Sequence, residues 1–285
     1  MIRLDAATVL LQWATGGLLF LWVTTRRRQV GIGYGWLLRG TYVVMAAGAV
    51  VVGRMFGPVP VRDACSALVA VTSGVALILS IVRRRAGVAG ERARLERRSA
   101  RVAAMTGIER EPSGPDASVP EFPPVADLVA PVIGAMGLVA AGLAAGGPDV
   151  LAVVRTLVGA AFLGAVTDAM LLGHWYLVQP GLGRAPLLEL NRWLALVWPI
   201  EVGALIWPTG MFSVFSGTID DGYGGLLGWF WATCAVTTLI LTGVTKAALK
   251  ERAYSAVMAA TGLLYLAILT AFGTDLVARA VLSSG

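Results

Sequence analysis

Runs of about twenty apolar residues recur along this entire chain, and the loops between them are alternately rich and poor in arginine. Eight such runs fit, near residues 6–25, 37–54, 63–82, 125–145, 151–178, 192–215, 225–246 and 253–274. At 1.5 Å of rise per residue, about twenty residues cross the roughly 30 Å of bilayer hydrocarbon. Inside lipid every backbone N–H and C=O must be satisfied within the segment, which leaves the helix as the solution for runs of this length. The expected fold is therefore all-α: a polytopic integral membrane bundle of about eight transmembrane helices. It forms a single membrane domain over residues 1–285, with one long loop at 83–124 between the third and fourth spans. An apolar share of 57% with 14% charged residues departs from the roughly 45–50% and 25% of soluble domains, which argues against a water-soluble globular chain.

The charge sorts the loops. The 23 basic residues outnumber the 17 acidic ones. Arg26, Arg27 and Arg28 follow the first run, Arg83, Arg84 and Arg85 open the long loop, and Lys246, Lys250 and Arg252 follow the seventh run. The intervening turns at 57–60, 146–149 and 216–225 are poorer in basic residues and include Asp220 and Asp221. Loops rich in Lys and Arg stay in the cytoplasm, so the basic surplus is expected to set orientation rather than to bind nucleic acid. Both termini are then outside. Arg54, Arg62 and Arg155 lie at the edges of outer turns, against this rule. The arginine-heavy, Ala-, Val- and Gly-rich composition fits a GC-rich bacterial gene, and the cytoplasmic (inner) membrane is the expected location. Arg26–Arg28 follow the first run in place of a small-residue cleavage site, so Ala6–Thr25 reads as a retained span. In the long loop, 86–105 alternates charge with Ala and Leu as a surface helix would, and 106–124 reads as a Pro- and Ser-rich linker.

The densest chemistry lies between Thr167 and Pro208, which contains the single histidine, His174, and two carboxylates in apolar surroundings, Asp168 and Glu201. Helical rise places Asp168 about 15 Å and Glu201 about 13–14 Å from the cytoplasmic interface, if the connection spans 179–191. Charges at such depth are costly and are expected to face protein or water. Thr167, Met170, Leu171, His174 and Trp175 share a side of the fifth span with Asp168. Pro199 and Pro208 flank Glu201, and each frees a carbonyl four residues earlier, at Ala195 and Ala204. Plainer readings compete: Trp175 and Tyr176 as an interfacial aromatic belt, Arg192 as a snorkelling anchor, Asp168 as a helix-to-helix hydrogen bond, and the threonines of the seventh span bonded to their own backbone.

The string GHWYLVQPGLGRAPLLELNRW, residues 173–193, resembles a signature of bacterial multi-pass membrane proteins of uncharacterised activity, and it implies no role for any residue. One histidine cannot supply bis-His haem ligation, and Cys65 and Cys234 cannot ligate an iron–sulfur cluster or a structural zinc. No metal site, Gly-x-Ser-x-Gly or His-Glu-x-x-His motif is present. Three functions remain. The leading expectation is the membrane subunit of a respiratory complex. It would offer a quinone site with proton transfer by His174, Asp168 and Glu201, lined by Trp175, Tyr176, Met170, Trp198 and Arg192. A soluble redox enzyme docked on the cytoplasmic loops, or other subunits, would supply electrons. The alternatives are a proton-coupled small-molecule transporter and a structural or assembly subunit.

Overall fold

The structure, a computed structural model, describes residues 4–106, 118–146, 149–179, 181–208 and 210–284. Ten α-helices run in order: α1 (Ala6–Thr25), α2 (Ile32–Phe56), α3 (Pro60–Val82), α4 (Ala89–Thr106), α5 (Val129–Ala144), α6 (Asp149–Val178), α7 (Ala185–Ile206), α8 (Phe212–Phe215), α9 (Leu226–Ala248) and α10 (Tyr254–Ser284). No strand occurs among the described residues. Seven of the helices are long and apolar enough to cross a membrane, α5 counting with the 3₁₀ turn before it. The chain is thus an all-α helical bundle whose long apolar helices fit a multi-pass membrane protein. The eighth long helix, α7, carries Glu189, Arg192 and Glu201 and stands apart in composition. It nevertheless lies antiparallel along α6: Glu189 near its start pairs with Arg26 at the end of α1, and Ala204 near its end meets Arg155 near the start of α6.

Local chemistry explains where the helices begin. Asp5 caps α1, its carboxylate accepting from the backbone N–H of Ala7 and Thr8 at 3.3 and 3.2 Å. Pro60 opens α3 and Pro186 lies in the first turn of α7, where the missing N–H costs nothing. Asp221 accepts from the N–H of Gly225 and Leu227 at the head of α9, at 2.8 and 2.9 Å. These bonds, led by the one from Gly225, hold its carboxyl below the usual carboxylate range. Within the apolar helices Thr24, Thr238 and Thr242 return their hydroxyls to the carbonyl four residues earlier, as expected for the seventh span.

The helices form two groups of four. One contains α1, α2, α3 and α5, and the other α6, α7, α9 and α10; in each, consecutive long helices pack side by side and the last closes on the first. The groups join chiefly through α1 against α6. There Gly16 and Gly164 bring the backbones together: a Cβ on Gly164 would lie 2.1 Å from the Gly16 carbonyl carbon. Backbone approach of this kind drives helix association where lipid offers no hydrophobic gain.

One end of the bundle is basic. It holds Arg26–Arg28, the 83–86 turn and the start of α4, whose Gly90 N–H donates to the Arg28 carbonyl at 2.9 Å; α4 has no buried residue, as a surface helix would. Glu121 gathers Arg28 and Arg92 there, and Arg83 donates to its backbone carbonyl at 3.2 Å. Beneath them Arg39 and Asp127, both buried, form a two-pronged pair at 2.7 Å, with the Phe122 ring 4.4 Å from the guanidinium carbon. The second span was expected from residue 37, but α2 begins five residues earlier, at Ile32, and sets Arg39 two turns inside the helix. At the opposite end, Arg62 is buried and bonds Asp5, Asp63 and the Gly57 carbonyl. Two of the three arginines that offended the charge rule, Arg62 and Arg155, are thus buried and bonded within the bundle.

Candidate functional site

The two carboxylates singled out in the sequence do not meet. The sixth span was expected at 192–215, but α7 occupies Ala185–Ile206, because Pro186 starts a helix rather than belonging to a loop. Glu201 therefore lies sixteen residues from the start of its helix, about 24 Å by rise, and approaches Arg155 near the far end of α6. Asp168 follows Arg155 by thirteen residues, about 20 Å along the same helix. Asp168 is fully enclosed: Tyr42 of α2 donates to Oδ1, Tyr34 donates to its backbone oxygen at 3.2 Å, and Oδ2 has no partner among the described residues. It is an inter-helix contact between α6 and α2. His174 faces the other way, exposed on the outside of α6, with Nδ1 3.4 Å from the Tyr265 hydroxyl of α10.

The proposed ring-lining residues are dispersed as well. Trp175 packs on Tyr34 and donates to Gln179 Oε1 at 3.0 Å, which also accepts from the Gly31 N–H at 2.8 Å. Tyr176 is buried and donates to the Gly183 carbonyl at 2.6 Å, folding the α6–α7 turn. Trp198 donates to the Ala235 carbonyl of α9 at 2.9 Å. Met170 packs half-buried against the core. Arg192 is exposed near the basic end. Cys65 and Cys234 are free and buried.

A different constellation converges where α1, α6, α7 and α10 meet. On α10, Arg279 Nε donates to Asp275 Oδ2 at 2.7 Å, and the two side chains are 1% and 0% exposed. Gln12 of α1 is fully buried against them. Gly159 of α6 makes the room: a Cβ there would lie 2.2 Å from Gln12 Nε2, 2.7 Å from Asp275 Oδ1 and 3.3 Å from Arg279 Nη2. Glu201 completes the group, close enough to Asp275, Arg279 and Arg155 to interact with their charges but hydrogen-bonded to none of them. Two carboxyl groups placed this near each other repel when both are ionised, and can bond directly only after one takes up a proton, since an ionised carboxylate is an acceptor alone. Arg155 spends its donors on carbonyls, Nε to Ala204 and Nη2 to Trp207, each at 2.8 Å. Pro208 was expected inside this span but lies past the end of α7, and the Ala204 oxygen, with no N–H four residues on, accepts from Arg155 instead.

Around this pair the satisfaction is incomplete. Both amide atoms of Gln12, Asp275 Oδ1, Arg279 Nη2 and both Glu201 oxygens receive no donor or acceptor among the described residues. Above Arg279 a cavity of about 830 Å³ opens at the end opposite the basic loops. Its walls include Asp5, Thr8, Arg62, Ala141, Thr156 and Arg279 itself. Sequence reasoning missed this site because the last span was ended at 274, whereas α10 runs on to Ser284 and takes Asp275 and Arg279 with it. The legible signal was their i,i+4 spacing in an apolar run, the geometry of an ion pair on one helix face. No protein-family model, no curated protein and no solved structure matches this chain.

Proposed function

We propose that the protein is a proton-coupled membrane carrier of a small carboxylate-bearing solute, bound between the cavity and the Arg279–Asp275–Glu201 cluster. The observation that supports this most is the set of buried, unpartnered polar atoms directly beneath an open cavity. An unpaired buried polar group costs about 1–3 kcal/mol, and more when charged. A chain that carries several together gains from a ligand, water or proton that completes them. The charge balance suggests which ligand. Arg155 and Arg279 offset Glu201 and Asp275 when all four are ionised. One proton on the facing carboxyls leaves a net positive charge and a free guanidinium N–H, which is a site for an anion. Proton and anion then favour each other's binding, and this linkage is reciprocal. Orientation by the basic loops puts the open cavity on the outside and the arginine-rich end in the cytoplasm of a bacterial inner membrane.

The quinone reading needs His174, Asp168 and Glu201 to serve one aromatic slot, and these three side chains occupy separate places, so the carrier reading has the better support. Purified protein in proteoliposomes, offered labelled acetate, lactate and succinate, tests it. Uptake of at least one carboxylate is expected to accelerate under an inward proton gradient, and Arg279→Gln is expected to lose that acceleration. Equal uptake by the variant, or none of the three acids entering faster than into empty vesicles, contradicts it.

A further inference from the structure

At the basic end of the bundle a second cavity, of about 300 Å³, lies on the outer face of α7 and is lined by Arg27, Ala185, Leu188, Glu189, Arg192, Trp193 and Leu196. We propose that it binds an anionic phospholipid, independently of the carrier reading.

The polarity of this groove runs along the helix axis. Ala185, Glu189, Arg192 and Leu196 recur at three- and four-residue steps and so share one face of α7. The first two turns carry Glu189 and Arg192, with Arg27 and Arg26 brought alongside from the end of α1. Beyond Arg192 the surface becomes apolar, with the adjacent Trp193 38% exposed and Leu196, one turn deeper, 60% exposed. A phospholipid has the same gradient, with its phosphate at the interface and its chains toward the midplane.

The charge is specific in sign. Three guanidinium groups face one carboxylate, and Glu189 already spends itself on Arg26 and Arg27, to which it is bonded. Arg192 is exposed and has no hydrogen-bond or ion-pair partner among the described residues. Trp193 packs edge-on against Phe20 with ring centroids 6.1 Å apart, and Arg26 lies over the Trp22 ring at 5.1 Å, so aromatic rings frame the basic groups. A zwitterionic headgroup would bring its own cation to a surplus of arginine. An anionic one, such as phosphatidylglycerol, brings a phosphate without it, and basic pockets at the ends of membrane helices recognise such headgroups.

The test uses full-length protein in mild detergent, incubated with equimolar phosphatidylglycerol and phosphatidylcholine and examined by native mass spectrometry. Wild type is expected to retain phosphatidylglycerol in preference. Arg27→Gln with Arg192→Gln is expected to lower that preference about tenfold, or 1.4 kcal/mol, while Arg192→Lys keeps most of it. Arg97→Gln with Arg101→Gln removes the same charge from the exposed face of α4 and is expected to change nothing. The Glu189–Arg26 pair stays intact in every variant, and Leu196→Trp, which fills the groove without changing charge, is expected to displace the lipid. Equal retention of both lipids by wild type overturns the proposal. So does an equal loss of preference in the α4 control, which would mark a diffuse electrostatic effect.

Discussion

Replacing Arg279 by methionine keeps much of the side-chain volume and removes the guanidinium from a pair that is 1% and 0% exposed. At such burial no discount for solvent screening applies, and breaking a buried pair by deleting one partner costs about 3–5 kcal/mol. Asp275 also faces Glu201, so the loss leaves two carboxyl groups together with only Arg155 nearby, which raises the cost. The cavity above Arg279 admits water, which lowers it. Arg279→Met is therefore expected to destabilise by about 3–4 kcal/mol. At roughly 2 °C per kcal/mol for a chain of this length, the Tm followed by tryptophan fluorescence in detergent falls by about 6–8 °C. Asp275→Leu together with Arg279→Met removes both charges and is expected to return to within about 1 kcal/mol of wild type, or above it, as buried pairs replaced by apolar residues commonly do. A single variant within a degree of wild type would mean that the pair is already solvated. A double variant worse than either single change would mean that the charges stabilise the fold rather than serve a ligand.

Four further outcomes are expected. Asp168→Asn, at an enclosed site away from the cavity, leaves proteoliposome uptake intact, whereas Tyr42→Phe removes the donor to Asp168 Oδ1 and lowers stability by about 1–3 kcal/mol in the same melting assay. Gly164→Leu sets a side chain against the Gly16 backbone and abolishes the monodisperse peak in fluorescence-detected size exclusion. Asp221 has its folded-state pKa lowered by backbone N–H donors, so it stabilises the head of α9 above its unfolded value near 4 and loses this as pH falls through the folded value; protection of the Gly225 and Leu227 amides, taken relative to the intrinsic exchange rate at each pH, falls at acid pH, and Asp221→Ala removes that fall. Cysteines introduced singly at Arg101 on α4 and at Thr218 on the opposite end report orientation, an impermeant thiol reagent in intact cells labelling Thr218→Cys and sparing Arg101→Cys.

Most of the fold was legible because membrane helices announce themselves by composition. The first and third spans match α1 and α3 to within a few residues, and the arginine-rich stretch after α3 reads as helix and forms one. The failures share a cause: polar residues were taken as span ends. Glu189, Asn191 and Arg192 made the start of α7 look like a loop, although Pro186 is acceptable in a first helical turn and Asn191 donates to the Thr242 carbonyl of α9 at 3.0 Å. Asp275 and Arg279 made α10 look finished when each was neutralising the other. Arg39, at the edge of the second expected span, gave no sign of its ion pair, because its partner Asp127 is 88 residues away and invisible to local pattern. A pairing across helices depends on which faces meet. In this chain that is decided by contacts such as Gly16 with Gly164, which no single-sequence periodicity encodes.

The claim that most needs measuring is that one proton at the Glu201–Asp275 contact accompanies each bound anion. Isothermal titration in detergent across pH 6–8, using the carboxylate taken up fastest in proteoliposomes, measures it directly. With one proton taken up per anion, affinity falls by about tenfold for each pH unit of increase, and Glu201→Gln, which cannot ionise, gives a flat profile. A wild-type affinity independent of pH, or the same slope in Glu201→Gln, would contradict it.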